Sequence, residues 1–426
     1  LKPSSLITID AGGFLLWGHI ISLLVRGSRI EDVSDIMVQV TKDIYWVGAV
    51  DWDIKNFHGY ITHRGTTYNS YLIKSDKIAL VDSVKAPFYE TWVRHIKQQV
   101  DPKKIDYIIS NHAEPDHSGS LAKFHKEEAP QAEIIATERG KTILTKYYGD
   151  IPITTTKEMP ELKLGGKTLS FVAIPMAHWP DSMVSYIPED KLLLSNDAFG
   201  QHIASTARFN DEIEQDLLWH EAEAYYANIL MPLRSAVGRA VKALDGVPIE
   251  IIAPSHGVIW RKDLGDILAK YGQWIEGYTV PKVVITYDTM WNSTKNIAYA
   301  MAEGVASEGV KCRVYCLTGN HRSDVMTEIL IAKAVLVGSP TLNNHVYPSV
   351  AEFLAYMRGL KPMNKFGAGF GSYGWAGGAT RFIEAQMKLA GIELIEADLD
   401  FAYKPTEDEW QKAYDFGVMV AKKVKE

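Results

Sequence analysis

Four short apolar runs in this chain of 426 residues each stop at or just before a histidine or an aspartate. Their length and apolar content are typical of strands. If the strands share a sheet and point the same way, the polar residues at their carboxyl ends converge at one edge, where sheet-based enzymes hold their ligands. The pattern therefore predicts an α/β fold with a polar site at its strand ends. The runs are Ile105–Ser110, Leu169–Met176, Lys191–Asn196 and Ile249–Ser255.

The segment after the first run, residues 112–117, reads His-Ala-Glu-Pro-Asp-His and holds four candidate metal ligands. Two imidazoles and two carboxylates form a harder, more oxygen-rich set than the thiolates and imidazoles typical of structural zinc. On its own, the segment could also be a turn that starts a helix, because a helix-like stretch follows over residues 121–128. The four candidates are His112, Glu114, Asp116 and His117.

The ends of the other three runs carry His178, Asp197 and His256. Residues of this type at four separate strand ends favour the metal-site interpretation. Seven ligands, three of them carboxylates, are too many for one tetrahedral zinc ion. The set suits two metal ions, with Asp197 able to bridge them.

A second domain is indicated after about residue 280, where a strand-like run leads into the loop 288–294 and then into a helical stretch. Backbone N–H groups and the hydroxyls of Thr289, Ser293 and Thr294 could surround an anion at the start of that helix. The loop lacks the glycine patterns of nucleoside triphosphate and dinucleotide sites, so a monophosphate suits it better. The alternative interpretation is an ordinary capped helix start.

Two later strand-to-loop junctions, 334–344 and 365–378, would lie at the same edge of a doubly wound sheet, where ligands bind. Tyr373 and Trp375 offer flat surfaces for an isoalloxazine ring, although they could instead be core residues of a glycine-rich turn. About five strands alternate with five helices in this part of the chain, which is the flavodoxin pattern, so FMN is the expected cofactor. The glycines that would let the backbone approach the ring are Gly374, Gly377 and Gly378.

These motifs together resemble one known family. The order His-x-Glu-x-Asp-His, followed by His, Asp and His on later strands, is similar to the metallo-β-lactamase-type domain of the flavodiiron proteins, or A-type flavoproteins. Most hydrolytic members of that superfamily have His-x-His-x-Asp-His. Glu114 replaces the second histidine with an anionic oxygen donor, which favours a redox-active diiron pair over two zinc ions. Further similar stretches are Phe57–Tyr60, Gly65–Tyr68, His178–Met183, Ser195–Gln201 and Tyr225–Asn228.

The resemblance covers roughly residues 37–426 and implies two domains. A metallo-β-lactamase-like αββα sandwich is expected over residues 37–278, and a flavodoxin-like doubly wound parallel sheet over residues 279–426. Residues 1–36 are expected to be an N-terminal extension or a misassigned start that is not part of the fold. Their apolar stretch, Phe14–Val25, is too short to span a bilayer.

The resemblance also implies roles for individual residues. His112, Glu114 and His178 would hold one iron ion, Asp116, His117 and His256 would hold the other, and Asp197 would bridge them. The residues expected at the FMN phosphate are Thr289, Trp291, Asn292, Ser293 and Thr294. Those expected at the ring and ribityl chain are Thr341, Asn343, Asn344, Ser372, Tyr373, Gly374, Trp375 and Gly377. Candidates for proton delivery, with an ordinary buried hydrogen-bonding role as the alternative, are His58, His202 and Tyr226.

The implied function is the reduction of O2 to water, of NO to N2O, or of both, and the sequence does not separate the two substrates. Reduced FMN and a ferrous pair each supply two electrons, which together match the four that O2 requires. The external electron donor would be rubredoxin or reduced coenzyme F420. A head-to-tail homodimer or a homotetramer is expected. The alternatives are a dizinc hydrolase fused to a flavodoxin domain and a pure electron carrier with an inert lactamase-like scaffold.

Composition limits the remaining classes. The net charge of −7 gives no nucleic-acid footprint, and a hydrophobic content of 46% with 23% charged residues is typical of a soluble globular protein. Cys312 and Cys316 lie four residues apart on a predicted strand, too far for a disulfide, so we expect core thiols in the reducing cytoplasm. The chain has no Cys-x-x-Cys pair, so the electron donor must be a separate molecule.

Overall fold

Residues 38–254 build a seven-stranded and a five-stranded sheet in this computed structural model, which describes residues 38–426. The expectation for residues 1–36 concerns residues outside that range. The order of the larger sheet is β1-β2-β7-β8-β9-β10-β11, and that of the smaller is β12-β13-β14-β15-β16. The strands of the larger sheet are β1 Val38–Thr41, β2 Ile44–Trp46, β7 Tyr71–Lys74, β8 Ile78–Val81, β9 Tyr107–Ile109, β10 Glu133–Ala136 and β11 Ile153–Thr155. Those of the smaller are β12 Glu161–Lys163, β13 Thr168–Ala173, β14 Met183–Ile187, β15 Leu192–Asn196 and β16 Ile251–Pro254.

Two short antiparallel pairs and seven α-helices complete this part of the described chain. The pairs are β3 Ala49–Asp51 with β6 Thr66–Tyr68, and β4 Asn56–Phe57 with β5 Tyr60–Ile61. The helices are α1 Tyr89–Gln99, α2 Pro115–Ser118, α3 Leu121–Glu127, α4 Glu138–Tyr148, α5 Gln215–Tyr225, α6 Arg234–Ala243 and α7 Leu264–Glu276. Helix α5 continues into a π-helical turn, Tyr226–Leu230. Short 3₁₀ turns lie at Ala86–Phe88, Pro102–Lys104, Pro188–Asp190, Asn210–Glu212 and Met231–Leu233.

Strands β9 and β15, which precede five of the seven candidate ligands, are buried because both of their faces are covered, as continuous apolar runs require. Strand β13, which precedes His178, is only partly buried. All three residues of β9 are buried, and the strand pairs in parallel with β8 and β10. All five residues of β15 are buried, and the strand is parallel to β16. The two sheets meet near the end of β16, where the Asn69 amide and the Tyr71 hydroxyl both donate to Pro254 O. These contacts fix the strand ends relative to each other.

The third sheet, from residues 280–402, is parallel along its path and has the order β18-β17-β19-β20-β21, with β22 paired to β20. Because β17 is the first of these strands in sequence, this is the flavodoxin order, in which ligands bind at the carboxyl ends. The strands are β17 Val280–Tyr287, β18 Lys311–Cys316, β19 Ala332–Pro340, β20 Phe366–Tyr373, β21 Glu393–Leu394 and β22 Asp400–Ala402. The helices are α8 Ser293–Ser307, α9 Arg322–Leu330, α10 Pro348–Leu360, α11 Ala379–Leu389 and α12 Glu407–Lys425.

The architecture is therefore the expected metallo-β-lactamase-like sandwich followed by a flavodoxin-like sheet. Residues 39–426 form one compact unit, so the boundary near residue 278 stays a prediction. Both cysteines lie on β18 and are free, but they are partly buried rather than core thiols, because β18 is the edge strand of its sheet. Across residues 38–426, none of the helices is both long enough and apolar enough to cross a membrane.

Candidate metal centre

The seven candidate ligands all follow carboxyl ends of strands in the two N-terminal sheets. His112 and Glu114 lie in the loop after β9, and helix α2 carries Asp116 and His117. Proline at residue 115 suits the first position of that helix, since its missing N–H would have no partner there. His178 lies in the loop between β13 and β14, and Asp197 and His256 follow the parallel neighbours β15 and β16. The fold thus brings together every ligand expected from the sequence.

The ligands form two neighbouring groups. His112, Glu114, His178 and Asp197 each place one ligand atom within 4.8 Å of the others, and so do Asp116, His117 and His256. Six of the seven are buried, and His178 is partly buried. This division agrees with the two sets implied by the resemblance.

Asp197 lies between the groups and presents one carboxylate oxygen to each. Its Oδ2 is 3.3 Å from His178 Nε2 and 3.6 Å from His112 Nε2. Its Oδ1 is 3.2 Å from His117 Nε2 and 3.6 Å from His256 Nε2. A carboxylate in this position can bridge two metal ions.

Glu114 points to the first group. Its Oε2 is 3.1 Å from His112 Nε2 and 3.3 Å from His178 Nε2. Its Oε1 accepts a hydrogen bond of 2.9 Å from His58 Nε2. Oε1 of Glu114 is therefore held outside the ligand cluster by His58, and Oε2 remains for a metal.

Several of the buried ligand atoms lack a hydrogen-bond partner in the described part of the chain. They are both carboxylate oxygens of Asp116, both ring nitrogens of His117 and Asp197 Oδ2, none of which has a hydrogen-bond partner within residues 38–426. Buried polar atoms without partners are costly and rare. A metal ion in each group would give a partner to the carboxylate oxygens and to one ring nitrogen of His117, so the residues fit a binuclear site.

The charges of the cluster support the same conclusion. Burial lowers the pKa of His112, but its hydrogen bonds to Asp181 and Glu114 and the charge of Asp197 outweigh this and raise the pKa to about 10. Burial also lowers the pKa of His178, but the hydrogen bonds and charges of Asp197 and Glu114 outweigh this effect and raise the pKa to about 10. The buried carboxylates Asp181, Glu114 and Asp197 thus favour positive charge at this site, which here is carried by protons on the two histidines.

Three further residues orient the ligands and were not identified from the sequence. Asp181 Oδ2 accepts a 2.7 Å hydrogen bond from the Ala113 N–H, and both of its oxygens lie 3.3 Å from His112 Nδ1. His256 Nδ1 donates to Thr67 O at 2.7 Å. The Tyr225 hydroxyl donates to Asp197 Oδ1 at 3.1 Å. Such contacts fix ring orientation and ligand basicity. The signal available for Asp181 was an acidic residue three positions after His178.

The three candidates for proton delivery have different outcomes. His58 contacts Glu114, and its side chain is 72% exposed, so the alternative of an ordinary buried hydrogen-bonding role is wrong for His58. His202 is fully buried and shares a 2.8 Å hydrogen bond with Thr66 Oγ1. Tyr226 does not contact a ligand, because its ring packs against Tyr271 and Trp274. Its neighbour Tyr225 has the position that was expected for Tyr226.

A cavity of about 210 Å³ opens beside the ligands. Glu114, Asp197 and His256 line its inner wall, and Asn228 and Tyr356 line it as well. Asn228 belongs to the π-helical turn, a feature that often marks functional sites, and Tyr356 belongs to α10 of the third sheet's domain. Both N-terminal sheets and the C-terminal part of the chain therefore contribute to this cavity.

The loops expected to hold FMN lie together at the carboxyl ends of β17, β19 and β20. Thr289 Oγ1 is buried and, among the described residues, has no hydrogen-bond partner, as expected for a hydroxyl that faces a bound anion. Asn292, the residue that precedes α8, has a left-handed φ of 68°. Thr294 Oγ1 instead lies 2.9 Å from Ser372 Oγ and joins the first loop to the third.

The residues expected at the ring surround the same edge. Thr341 N–H donates to Ser372 O at 2.8 Å, which ties the second loop to the third. Asn343 and Asn344 have left-handed φ angles of 52° and 60°, which asparagine tolerates. Trp291 and Trp375 are 89% and 92% exposed. Tyr373 ends β20, and Gly374 and Gly377 lie in the loop that follows it, so their contact with a flavin stays a prediction that the placement supports.

Comparison with known proteins gives the same two parts. The family described as "ODP family beta lactamase" matches residues 66–257, and the flavodoxin family matches residues 285–417. The nitric oxide reductase of Moorella thermoacetica is 46% identical over 91% of this chain and 98% of its own length. The oxidase of reduced coenzyme F420 from Methanothermobacter marburgensis is 39% identical over the same shares.

Solved structures agree. The flavodiiron protein from Giardia intestinalis superposes with a TM-score of 0.89 at 35% identity, covering 91% of this chain and 97% of that one. The rubredoxin oxygen:oxidoreductase of Desulfovibrio gigas superposes with a TM-score of 0.88 at 36% identity, covering 91% and 98%. With the two-group ligand cluster and the loops at the flavodoxin-like edge, these matches show that the chain belongs to the flavodiiron protein family.

Proposed function

We propose that this protein is an oxidoreductase that reduces O2 to water, NO to N2O, or both at a non-haem diiron site. Electrons reach that site through FMN from an external donor. The observation that carries the proposal is Asp197, whose two oxygens face two separate ligand groups. Glu114 makes the set carboxylate-rich, which suits iron better than zinc.

The residues that would hold the metals are the two groups described above, with His112, Glu114 and His178 on one side and Asp116, His117 and His256 on the other. When bound, the two iron ions would supply a redox-active pair that binds a diatomic substrate, and FMN would supply electrons. Thr289, Trp291, Asn292, Ser293 and Thr294 would hold the FMN phosphate, and the loops 341–344 and 372–377 would contact the ring.

The chain's own side chains define what can enter the site and where protons are available. The cavity of about 210 Å³ admits a diatomic molecule, whereas pockets for larger organic ligands are usually about 300 Å³ or more. This size argues against a hydrolase acting on a bulky substrate. His58 Nε2–H and the Tyr225 hydroxyl both donate to ligand carboxylates, so they hold protons at the edge of the cavity.

The relatives suggest the electron donor. One is named as an oxidase of reduced coenzyme F420, and another as a rubredoxin oxygen:oxidoreductase. We infer that this protein uses reduced coenzyme F420 or rubredoxin as a separate donor molecule. We also infer a reducing cytoplasmic environment, because both cysteines are free.

We further infer a head-to-tail homodimer or homotetramer in which the flavin loops of one chain face the metal centre of another. Trp291 and Trp375 are almost fully exposed at the flavin edge, and Met176, two residues before the ligand His178, is 42% exposed. Large apolar side chains left in water at both edges are consistent with surfaces that cover each other.

The test combines metal analysis with anaerobic reduction and rapid mixing. Active protein should contain about two iron ions and one FMN per chain, and the reduced protein should consume O2, NO or both within its turnover time. Two zinc ions without iron in active protein would instead support the dizinc hydrolase. Loss of all O2 and NO consumption in a reduced, iron-loaded sample would support the electron carrier.

A further inference from the structure

The hairpin of β4 and β5 covers the metal cavity and carries His58 at its turn. His58 and Gly59 have left-handed φ angles of 53° and 84°, and the Gly59 N–H is held by Asn56 Oδ1 at 2.9 Å. Two two-residue strands with an exposed turn are marginal on their own. The position of His58 against Glu114 therefore depends on what holds this hairpin in place.

The N-terminal turn of α9, in the flavodoxin-like part of the chain, holds it. Arg322 Nη2 donates to Gly59 O at 2.8 Å, and Ser323 Oγ accepts from the Ile61 N–H at 3.2 Å. Just beyond the hairpin, His63 Nε2 lies 2.9 Å from Asp324 Oδ1. Three consecutive residues of one helix start thus contact the hairpin and the residues that follow it.

Arg322 is itself fixed by α10. Its Nη1 pairs with Glu352, and its guanidinium lies 5.2 Å from the centre of the Tyr356 ring. A hydrogen bond from a fixed guanidinium is stronger than one between neutral groups. The arginine therefore links the hairpin to the side chain that lines the cavity from the flavodoxin-like side.

Tyr356, which lines the cavity, also contacts the π-helical turn. Its hydroxyl donates to Asn228 Oδ1 at 2.9 Å, and the Asn228 amide donates to Ser323 O at 3.3 Å and lies 3.2 Å from Thr327 Oγ1. The π-helical turn, α9 and α10 are joined at one asparagine. Both outer walls of the cavity, the His58 hairpin and the Asn228 turn, are thus held by the flavodoxin-like part of the same chain.

We propose that the flavodoxin-like part, beyond carrying flavin, builds the outer wall of the metal cavity, with Arg322 as a positioning residue for His58 and Tyr356 as the residue that limits ligand size. The identity of the ligand as a diatomic molecule rests on the proposed function. The positions of the hairpin and of the ring do not.

The first test measures hydrogen exchange of the hairpin, residues 56–62, by mass spectrometry on the full chain as purified. Arg322→Ala should make this segment exchange about tenfold faster, because a local opening loses a charge-assisted hydrogen bond. Ser323→Ala, a smaller change, should give an intermediate increase. The matched control is Arg313→Ala, whose guanidinium makes a 3.8 Å contact with Glu328 on the same domain. Equal exchange of the hairpin in wild type, Ser323→Ala and Arg322→Ala would overturn the positioning role.

The second test compares the binding of two anionic probes, formate and benzoate, to the oxidised, iron-loaded protein. Binding is detected as a change in the absorption of the ferric pair. Tyr356→Ala should improve benzoate binding relative to formate by about tenfold, since one side chain of a pocket wall typically sets discrimination of that size. Tyr356→Phe keeps the ring and should keep the wild-type ratio. An unchanged ratio in Tyr356→Ala would refute the size limit.

These outcomes separate the two claims. The hydrogen-exchange measurement requires neither turnover nor bound iron, and the probe measurement requires bound iron but no turnover. A wild type that binds iron but consumes neither O2 nor NO would therefore refute the proposed function alone. Unchanged exchange and an unchanged probe ratio in a protein that reduces O2 or NO would refute the wall alone.

Discussion

Asp197 is the side chain on which the centre depends, because no other ligand faces both groups. An amide at this position keeps the shape of the carboxylate but loses its charge and one acceptor oxygen. We therefore expect Asp197→Asn to lower iron content from about two to at most about one ion per chain and to reduce O2 and NO consumption by more than about 100-fold. FMN content should not change. Iron analysis, flavin absorbance and gas-consumption rates measure these effects.

Asp53→Asn is the matched control, since it removes an exposed carboxylate from a loop outside the ligand set. It should leave metal, flavin and turnover as in the wild type. Retained turnover in Asp197→Asn with two bound iron ions would contradict the bridging role.

The protons on the metal-free ligands lead to a second prediction. The pKa values of His112 and His178 are raised to about 10 and that of His117 to about 9, so these imidazoles are protonated at neutral pH. Metal ions bind the neutral ring, so each bound ion must displace protons. Affinity for Fe(II) should thus increase with pH, by about tenfold per unit for each displaced proton between about pH 6 and 8.

Anaerobic titration of chelator-treated protein against a coloured competing chelator would measure this dependence. FMN affinity over the same pH range is the internal control, because the flavin loops contain none of these histidines. An Fe(II) affinity that does not change with pH would mean that the ligands are already neutral.

The sequence named all seven side chains that the structure brings together, because each stands at the end of an apolar strand and strand ends of one sheet meet. It did not identify Asp181 or Thr67, whose roles depend on tertiary contacts across loops. The sequence pointed to Tyr226 rather than Tyr225 as the tyrosine near the ligands. A π-helical turn changes which face of the helix a residue occupies, and it leaves no periodic signal in the sequence. Metal binding by the seven candidate ligands stays a prediction.

At the scale of elements, the carboxyl edge of the flavodoxin-like sheet is organised by one buried carboxylate. Asp288, directly after β17, accepts hydrogen bonds from the Thr289 N–H and from the Thr318 hydroxyl at 2.8 and 2.9 Å. It also accepts one from the Ser349 hydroxyl at the start of α10. One side chain therefore joins the loops after β17 and β18 to the helix that follows β19.

Asp288→Ala should loosen the loop that carries the FMN phosphate residues. We expect FMN affinity to fall by about tenfold, in the range that orienting side chains around a bound group typically contribute. Quenching of FMN fluorescence on binding gives the dissociation constant. Iron content should not change, because the ligand loops lie on other sheets. Asp398→Asn, at an exposed pair with Lys412, is the control. Wild-type FMN affinity in Asp288→Ala would show that the loop holds its shape without this carboxylate.

Element positions followed from the sequence more closely than their lengths did. The run Ile105–Ser110 became a strand of three residues, Tyr107–Ile109, and the run Leu169–Met176 ended at Ala173. Strand pairing stops where the backbone must turn to aim a ligand, and apolar content does not report that turn. In contrast, β20 extended through Tyr373, so part of the expected flavin loop is strand.

At the scale of the whole molecule, the proposed reaction requires electrons to pass from the flavin edge to the metal cavity. Trp375 is 92% exposed and Trp291 is 89% exposed at the flavin loops. Such side chains are typical anchors at the centre of protein interfaces. The proposed head-to-tail assembly would cover them and bring the flavin of one chain to the iron of its partner.

Trp375→Glu tests this arrangement, because a charge at the centre of an interface lacks a partner and its burial is costly. Sedimentation equilibrium should show a dimer or tetramer for the wild type and a large shift toward monomer for the variant at the same concentration. Because Trp375 also lies in the loop expected to contact the ring, the variant and the wild type are compared at saturating FMN. Iron content should stay near wild type, while the rate of iron reduction by reduced FMN in single-turnover mixing should fall by at least about tenfold, since intersubunit contact is lost. Tyr147→Glu, at a 51% exposed position on α4, is the matched surface control and should remain assembled. A wild-type protein that sediments as a monomer and still reduces its iron rapidly would show that electrons pass within one chain.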